Sequence, residues 1–200
     1  MFLDAIVPYD DGPLHFLIHT GSRNESGHVD DLIDKPSQFD QEFERVVNWA
    51  ADNRAAINER LDLVFGATEV LLDLPHNTFE QLDDGRVIIR KGSVRLLPVP
   101  SHMSGDVVLV RAKKKVLEIL SSMSHGTGRA MSRSDCKPLA DAYDFAGLRK
   151  SIMIPSGVED ASLRTDGPFA YRDLDECMVL IQDYVEVILR FGVIGHMGHL

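Results

Sequence analysis

The sequence predicts an α+β protein, a mixed or antiparallel central sheet flanked by two long helices. Three observations carry this prediction. Apolar residues from Phe39 to Phe65 recur at helical spacing over many turns. Short β-branched runs between turn residues fill the chain from Val87 to Leu120. Beyond Asp173, the residues Leu174, Met178, Ile181, Val185 and Ile188 line one face of a second helix. The 200 residues can bury a sizeable core and show no internal repeat, so 1–200 reads as one domain.

In chain order, Leu14 to His19 reads as a largely buried strand ending in the turn His19-Thr20-Gly21-Ser22-Arg23. His15 and His19 are four apart and share a strand face. The polar stretch from Asn24 to Pro36 is a surface loop. Ser37 then acts as an N-cap, with Asp40 as its capping-box partner, and Gly66 stops the first helix. Val70 to Leu74 is a short buried strand leading into Pro75-His76-Asn77. Asp83-Asp84-Gly85 makes a tight turn, and Val87 to Arg90 returns from it. Further strands are expected at Val94–Val99, Val107–Val110, Val116–Leu120 and Ser151–Ile154.

The chain is 44% apolar and 26% charged, as in ordinary soluble proteins. No apolar run reaches the roughly 18–20 residues of a membrane span, so a cytoplasmic protein without membrane partners is expected. Cys136 and Cys177 lack CxxC spacing and read as plain small side chains. A net charge of −10 excludes a general nucleic-acid-binding surface. The cations nevertheless cluster: Arg86, Arg90, Lys91, Arg95, Arg111, Lys113 to Lys115, Arg129 and Arg133. The lysine run is either a solvated strand end or part of a basic rim that binds RNA ends locally.

The densest chemistry lies in Ser124 to Arg133. In His125-Gly126-Thr127-Gly128-Arg129 the glycines let peptide N–H groups wrap phosphate oxygens beside an imidazole. Arg129 adds a planar, permanently charged fork, and Arg133 follows one turn later. His19 and His76 both sit where a strand gives way to a turn, and neutral imidazole is a transition-metal ligand. Spacing alone leaves open whether the two meet.

Five motifs occur in order: His19 to Arg23, Leu74 to Asn77, Arg90-Lys91-Gly92-Ser93, Ser124 to Arg133, and Ala170-Tyr171-Arg172-Asp173. Together they resemble the RtcB family of RNA-splicing ligases. The family forms are close to His-Ser-Gly-Ser-Arg, His-Asn, Arg-Lys-Gly-Ala, His-Gly-Ala-Gly-Arg and Ala-Tyr-Lys-Asp. The resemblance runs from Phe2 to about Arg190 and covers the C-terminal portion of the family's catalytic domain. It implies an RNA ligase that joins 2′,3′-cyclic-phosphate or 3′-phosphate ends to 5′-hydroxyl ends, its RNA being tRNA halves or broken strands. It implies Mn2+ and GTP as cofactors, with His19 and His76 as metal ligands and His125 as the nucleophile that carries GMP. Arg23, Lys91 and Arg129 would neutralise phosphates. The nucleotide would lie against Asp4, His76, Asn77, Pro100, Ser101, His102, Met103, His125, Gly126, Thr127, Gly128 and Tyr171. Asn53-Arg54 matches an Asn-Arg pair of the family, or is simply an exposed helical face.

Departures qualify this picture. The family's Asp-x-x-Cys and Asn-His metal motifs lie upstream of Met1-Phe2, and Asp4 stands where Glu is common. Pro100-Ser101-His102-Met103 replaces Pro-Gly-Ser-Met, Val107 falls where a guanine-contacting serine is usual, and the end of the chain lacks the Lys-Gly. An altered guanine pocket and a weak metal site follow as expectations. An upstream polypeptide would complete that site. Two other readings stand beside the ligase: an inactive phosphate- or nucleotide-binding remnant, and a metal-dependent phosphoesterase using His19 and His76.

Overall fold

The computed structural model describes residues 2–20, 35–91 and 95–198. Contacts divide the chain into two compact units, Met1–Leu17 with Lys91–Leu200, and Ile18–Arg90. No helix among the described residues is long and apolar enough to cross a membrane. The strands in chain order are β1 (Phe2–Pro8), β2 (His15–His19), β3 (Asn77–Gln81), β4 (Val87–Lys91), β5 (Leu96–Pro100), β6 (Val107–Ala112) and β7 (Val185–Gly198). The helices are α1 (Pro36–Phe65), α2 (Lys137–Ala142), α3 (Phe145–Ser151), α4 (Asp160–Leu163) and α5 (Leu174–Ile181).

The larger unit is built on a sheet of order β2-β1-β7-β6-β5. β7 pairs antiparallel with both β1 and β6, setting Asp4 opposite His196 and Leu109 opposite Leu189. β5 pairs antiparallel with β6. Each pairing of β7 carries one irregularity, at Ala5/Ile6 and at Leu109/Val110, and such bulges bend and twist a sheet. Ile6, Val107, Phe191 and Val193 form its buried core. A second core gathers Phe145, Leu148, Ile152 and Leu163 around Met103.

β7 corrects the second long helix. α5 spans 8 residues, opened by the Asp173 side chain accepting from the Glu176 N–H at 2.9 Å. Val185 and Ile188 belong to the strand. The residues from Val185 satisfy a 3.6 period with the preceding turn, but Val185, Val187, Leu189, Phe191 and Val193 also alternate at period 2. Strand neighbours on both sides decide between the two, because a central strand satisfies its backbone on both edges.

Val116–Leu120 is likewise not a strand but the end of a 3-10 helix over Lys114–Ile119. Of that helix only Val116 is buried, and left-handed residues at Leu120 and Ser121 turn the chain away at once. Ser151–Ile154 contributes one parallel bridge, Met153 to Gly195, with Met153 N–H donating to the Ile194 carbonyl at 2.9 Å.

The smaller unit holds α1, a helix of 30 residues. It starts at Pro36 with Lys35 as the cap residue, so Ser37 lies inside it rather than capping it. Proline suits the first turn, where its missing N–H is no loss. Gly66 closes the helix at φ 84°, its N–H reaching the Asp62 carbonyl. Phe39, Phe43 and Val46 pack on Phe79 of β3. Val70 to Leu74 forms no strand, and Val70 and Leu71 are exposed. The strand begins instead at Asn77, because the Asp84-Gly85 turn fixes which residues face β4. Gly85 takes φ 82° there, and the Leu82 N–H donates to the Arg86 carbonyl at 2.8 Å.

Candidate functional site

The loop from Ser124 to Arg129 in the larger unit is held by backbone on two sides. On one side the Thr127 N–H donates to the Pro100 carbonyl at 3.2 Å, where β5 ends. On the other, Ala130 N–H donates to Ala170 O at 2.8 Å and Arg172 N–H to Gly128 O at 3.1 Å, with Arg129 bridged to Tyr171. Two glycines are dictated by this clamp. A Cβ on Gly126 would lie 3.3 Å from the Pro100 oxygen. Gly128 sits at φ 71°, and a Cβ there would meet Arg172 Nη1 at 2.9 Å. His125 is half-buried at the head of this fixed loop.

Arg129 is drawn into a half-buried cluster. Its Nη1 donates to Asp166 Oδ1 at 2.8 Å, its Nη2 to Cys136 Sγ at 3.0 Å and its Nε to the Met131 carbonyl at 3.1 Å. Its guanidinium lies 5.5 Å from the Tyr171 ring centre, within cation–π range. The Tyr171 hydroxyl donates to the same Asp166 oxygen at 3.1 Å. Burial pushes the Tyr171 phenol up, the Asp166 charge adds to this, and Arg129 opposes it. Arg129 and Tyr171 thus brace the loop from beneath. Asp166 and Cys136 carried no signal in the sequence. Asp166 meets its partner Arg129 across 37 residues of chain.

Beside the loop lies a cleft of about 360 Å³ lined by Ser101, His102, Asp106, Tyr171, Arg172 and Arg190, among others. The buried Ser101 hydroxyl donates to the Asp106 carbonyl at 2.8 Å. Burial pushes the His102 imidazole below its ordinary range, with Asp106 and Asp173 pulling the other way. Arg190 is bracketed by Asp106 at 2.7 Å and Asp175 at 2.6 Å, and Tyr9 donates to Asp106 at 2.7 Å. Met103, adjacent in sequence, turns the other way and is 4% exposed in the core. Asp4 is 2% exposed and bonded to His196 Nδ1 at 2.6 Å. Burial raises its carboxyl pKa, and the His196 hydrogen bond opposes the shift.

In the smaller unit the His19 and His76 rings lie 5.1 Å apart at 45°. Strand end β2 and the residue before β3 bring them together, as transition-metal ligation would require. His76 Nδ1 is 2.8 Å from Asn77 Oδ1. A proton on that nitrogen places the ring's lone pair on Nε2, the arrangement that outer hydrogen bonds give ligating histidines. The pair fits such an ion in donor type and spacing. No group of three or more His, Cys, Asp or Glu side chains among the described residues is arranged to hold one. Arg54 pairs with Asp73 at 2.5 Å and Arg90 with Glu80. Lys91 ends β4, its side chain lying outside the described residues with Arg23, Gly92 and Ser93.

The pattern of the family described as tRNA-splicing ligase RtcB matches residues 34–197. The chain is also 35% identical over 107 residues to RNA-splicing ligase RtcB of Escherichia coli K12, and equally to RNA-splicing ligase RtcB1 of a second Escherichia coli strain. The aligned stretch is 52% of this chain and 24% of each relative.

Proposed function

Because the chain belongs to the RtcB family, we propose that it is an RNA ligase component that seals 2′,3′-cyclic-phosphate or 3′-phosphate ends to 5′-hydroxyl ends of tRNA halves or broken RNA. The observation that carries this reading is the clamped loop behind His125, an imidazole followed directly by Gly126 and by backbone tied at Thr127, Gly128 and Ala130. A fixed nucleophile saves the entropy of positioning it against a phosphorus atom. In the proposed reaction a His125 ring nitrogen attacks the α-phosphorus of GTP, the P–N bond forms, and pyrophosphate leaves with the broken P–O bond's electrons. A cyclic end is first opened by water, which breaks the bond from phosphorus to O2′; the resulting RNA 3′-phosphate takes GMP from His125, and the 5′-hydroxyl displaces GMP to close the strand.

Manganese held by His19 and His76 would supply a Lewis acid to the reaction. Two donors do not complete a coordination sphere, so further ligands are proposed to come from elsewhere, an upstream polypeptide among them. Arg23 and Lys91 are assigned to phosphate neutralisation, and Arg129 to bracing the loop. The 100–102 and 125–128 segments are assigned to the nucleotide. The Cys136 thiol accepts from Arg129 and donates to the Ser132 carbonyl at 3.3 Å.

The test is covalent labelling with α-labelled GTP and manganese, followed by ligation of a cyclic-phosphate RNA to a 5′-hydroxyl RNA. Labelling that is acid-labile and absent in His125→Ala is expected. Joining should be weak for the 200-residue chain and rise when the remaining ligands are supplied. Undiminished labelling of His125→Ala would remove that residue from the chemistry.

A further inference from the structure

Among the described residues two buried side-chain atoms lack any hydrogen-bond partner, the hydroxyls of Thr20 and Thr127. Each stands in a histidine motif, Thr20 directly after His19 and Thr127 two residues after His125. A buried hydroxyl with no partner is destabilising, and such groups persist where a ligand or ordered water is to meet them. Thr127 is the better defined of the two. It is 6% exposed. Its N–H is committed to Pro100, its carbonyl accepts the Cys177 thiol at 3.8 Å, and Gly128 reverses the chain immediately after it. The backbone is spoken for while the side chain is not.

Resting on the reading of His125 as the residue that carries GMP, we infer that the Thr127 hydroxyl donates a hydrogen bond to a phosphate oxygen of the group held at this loop. The family form of the motif resembled here has alanine at this place, so the donor is this chain's own addition. Hydroxyl to oxyanion is a charge-assisted bond, stronger than a neutral one. The oxygen could come from the nucleotide or from an RNA 3′-phosphate, and the two sources are separable.

Thr127→Val keeps the shape and deletes the hydroxyl, and Thr127→Ser keeps the hydroxyl. Thermal unfolding of the ligand-free chain is measured for all three proteins. Titrations follow with GTP and, separately, with an oligoribonucleotide ending in a 3′-phosphate, both with manganese present. The valine variant should unfold at the same temperature as wild type or higher, since it removes an unmet donor. It should bind one of the two ligands about tenfold or more weakly, with serine restoring most of the loss. The ligand that responds identifies the source. A valine variant that melts several degrees lower shows that the hydroxyl already has a partner, and overturns the inference. Equal affinity for both ligands overturns it while leaving His125-dependent labelling intact. Wild type that binds neither ligand overturns it together with the reading of His125.

Discussion

The two histidine sites are held in different ways. The His125 loop is tied by backbone hydrogen bonds to β5 on one side and to Ala170 and Arg172 on the other, over an ion pair whose partners are 22% and 17% exposed. The His19–His76 pair is positioned by two strand ends, with His76 Nδ1 against the exposed Asn77 side chain. A nucleophile must be aimed at one atom, and angular error costs rate steeply. Metal ligands are drawn into place by the ion itself, so a looser frame suffices.

The largest effect that would sharpen this contrast is on the half-buried ion pair. Asp166→Ala leaves Arg129 and the Tyr171 hydroxyl without their shared acceptor, and about 2–3 kcal/mol of stability should be lost in denaturant unfolding. Asp73→Ala in the smaller unit removes an acceptor that is 47% exposed, and should cost under about 1 kcal/mol. Equal losses would break the comparison.

Next come the glycines. Gly128→Ala meets both the left-handed backbone and the Arg172 contact, so a loss of about 2 kcal/mol is expected. Gly85→Ala, at φ 82° with nothing within 4 Å, meets only the backbone term and should lose about 1 kcal/mol. Matching values would mean that the Arg172 contact constrains nothing.

A smaller effect is expected from pH. His102 has a folded-state pKa below its unfolded value, so the unfolded chain binds more protons in that interval. The stability from keeping it neutral is complete above pH of about 6.5 and drains away as pH falls toward the lower folded value. His102→Gln should flatten that part of the stability–pH curve, read from melting temperatures between pH 7 and pH 5. The smallest effect is at the metal pair. His76→Gln should change stability by no more than about 0.5 kcal/mol while abolishing the visible spectrum of added cobalt. A large stability loss there would show the pair to be structural.

Legibility followed the range of the interactions. α1 was readable because its stripe and its stop at Gly66 are local, although its cap was missed by two residues. The strand at Val107 was readable from a β-branched run, and the family from five short stretches in a shared order. The second helix was misread because Val185 and Ile188 fit two periods at once. Val116–Leu120 and Val70–Leu74 were misread as strands because apolar runs say nothing about whether a pairing neighbour exists.

Chain-local chemistry, by itself, determined the family, the amphipathic helix, the hairpin turn at Gly85 and the imidazole directly ahead of Gly126. Tertiary structure alone decided that Val185–Gly198 is the sheet's central strand, since it has neighbours on both edges. It also set Arg129 on Asp166, His196 on Asp4 across 192 positions, and Thr127's hydroxyl in a place without a partner. The physical reason is that a side chain's charge and shape are fixed by its residue type, whereas its partner is fixed by which distant segments the core brings within hydrogen-bond reach.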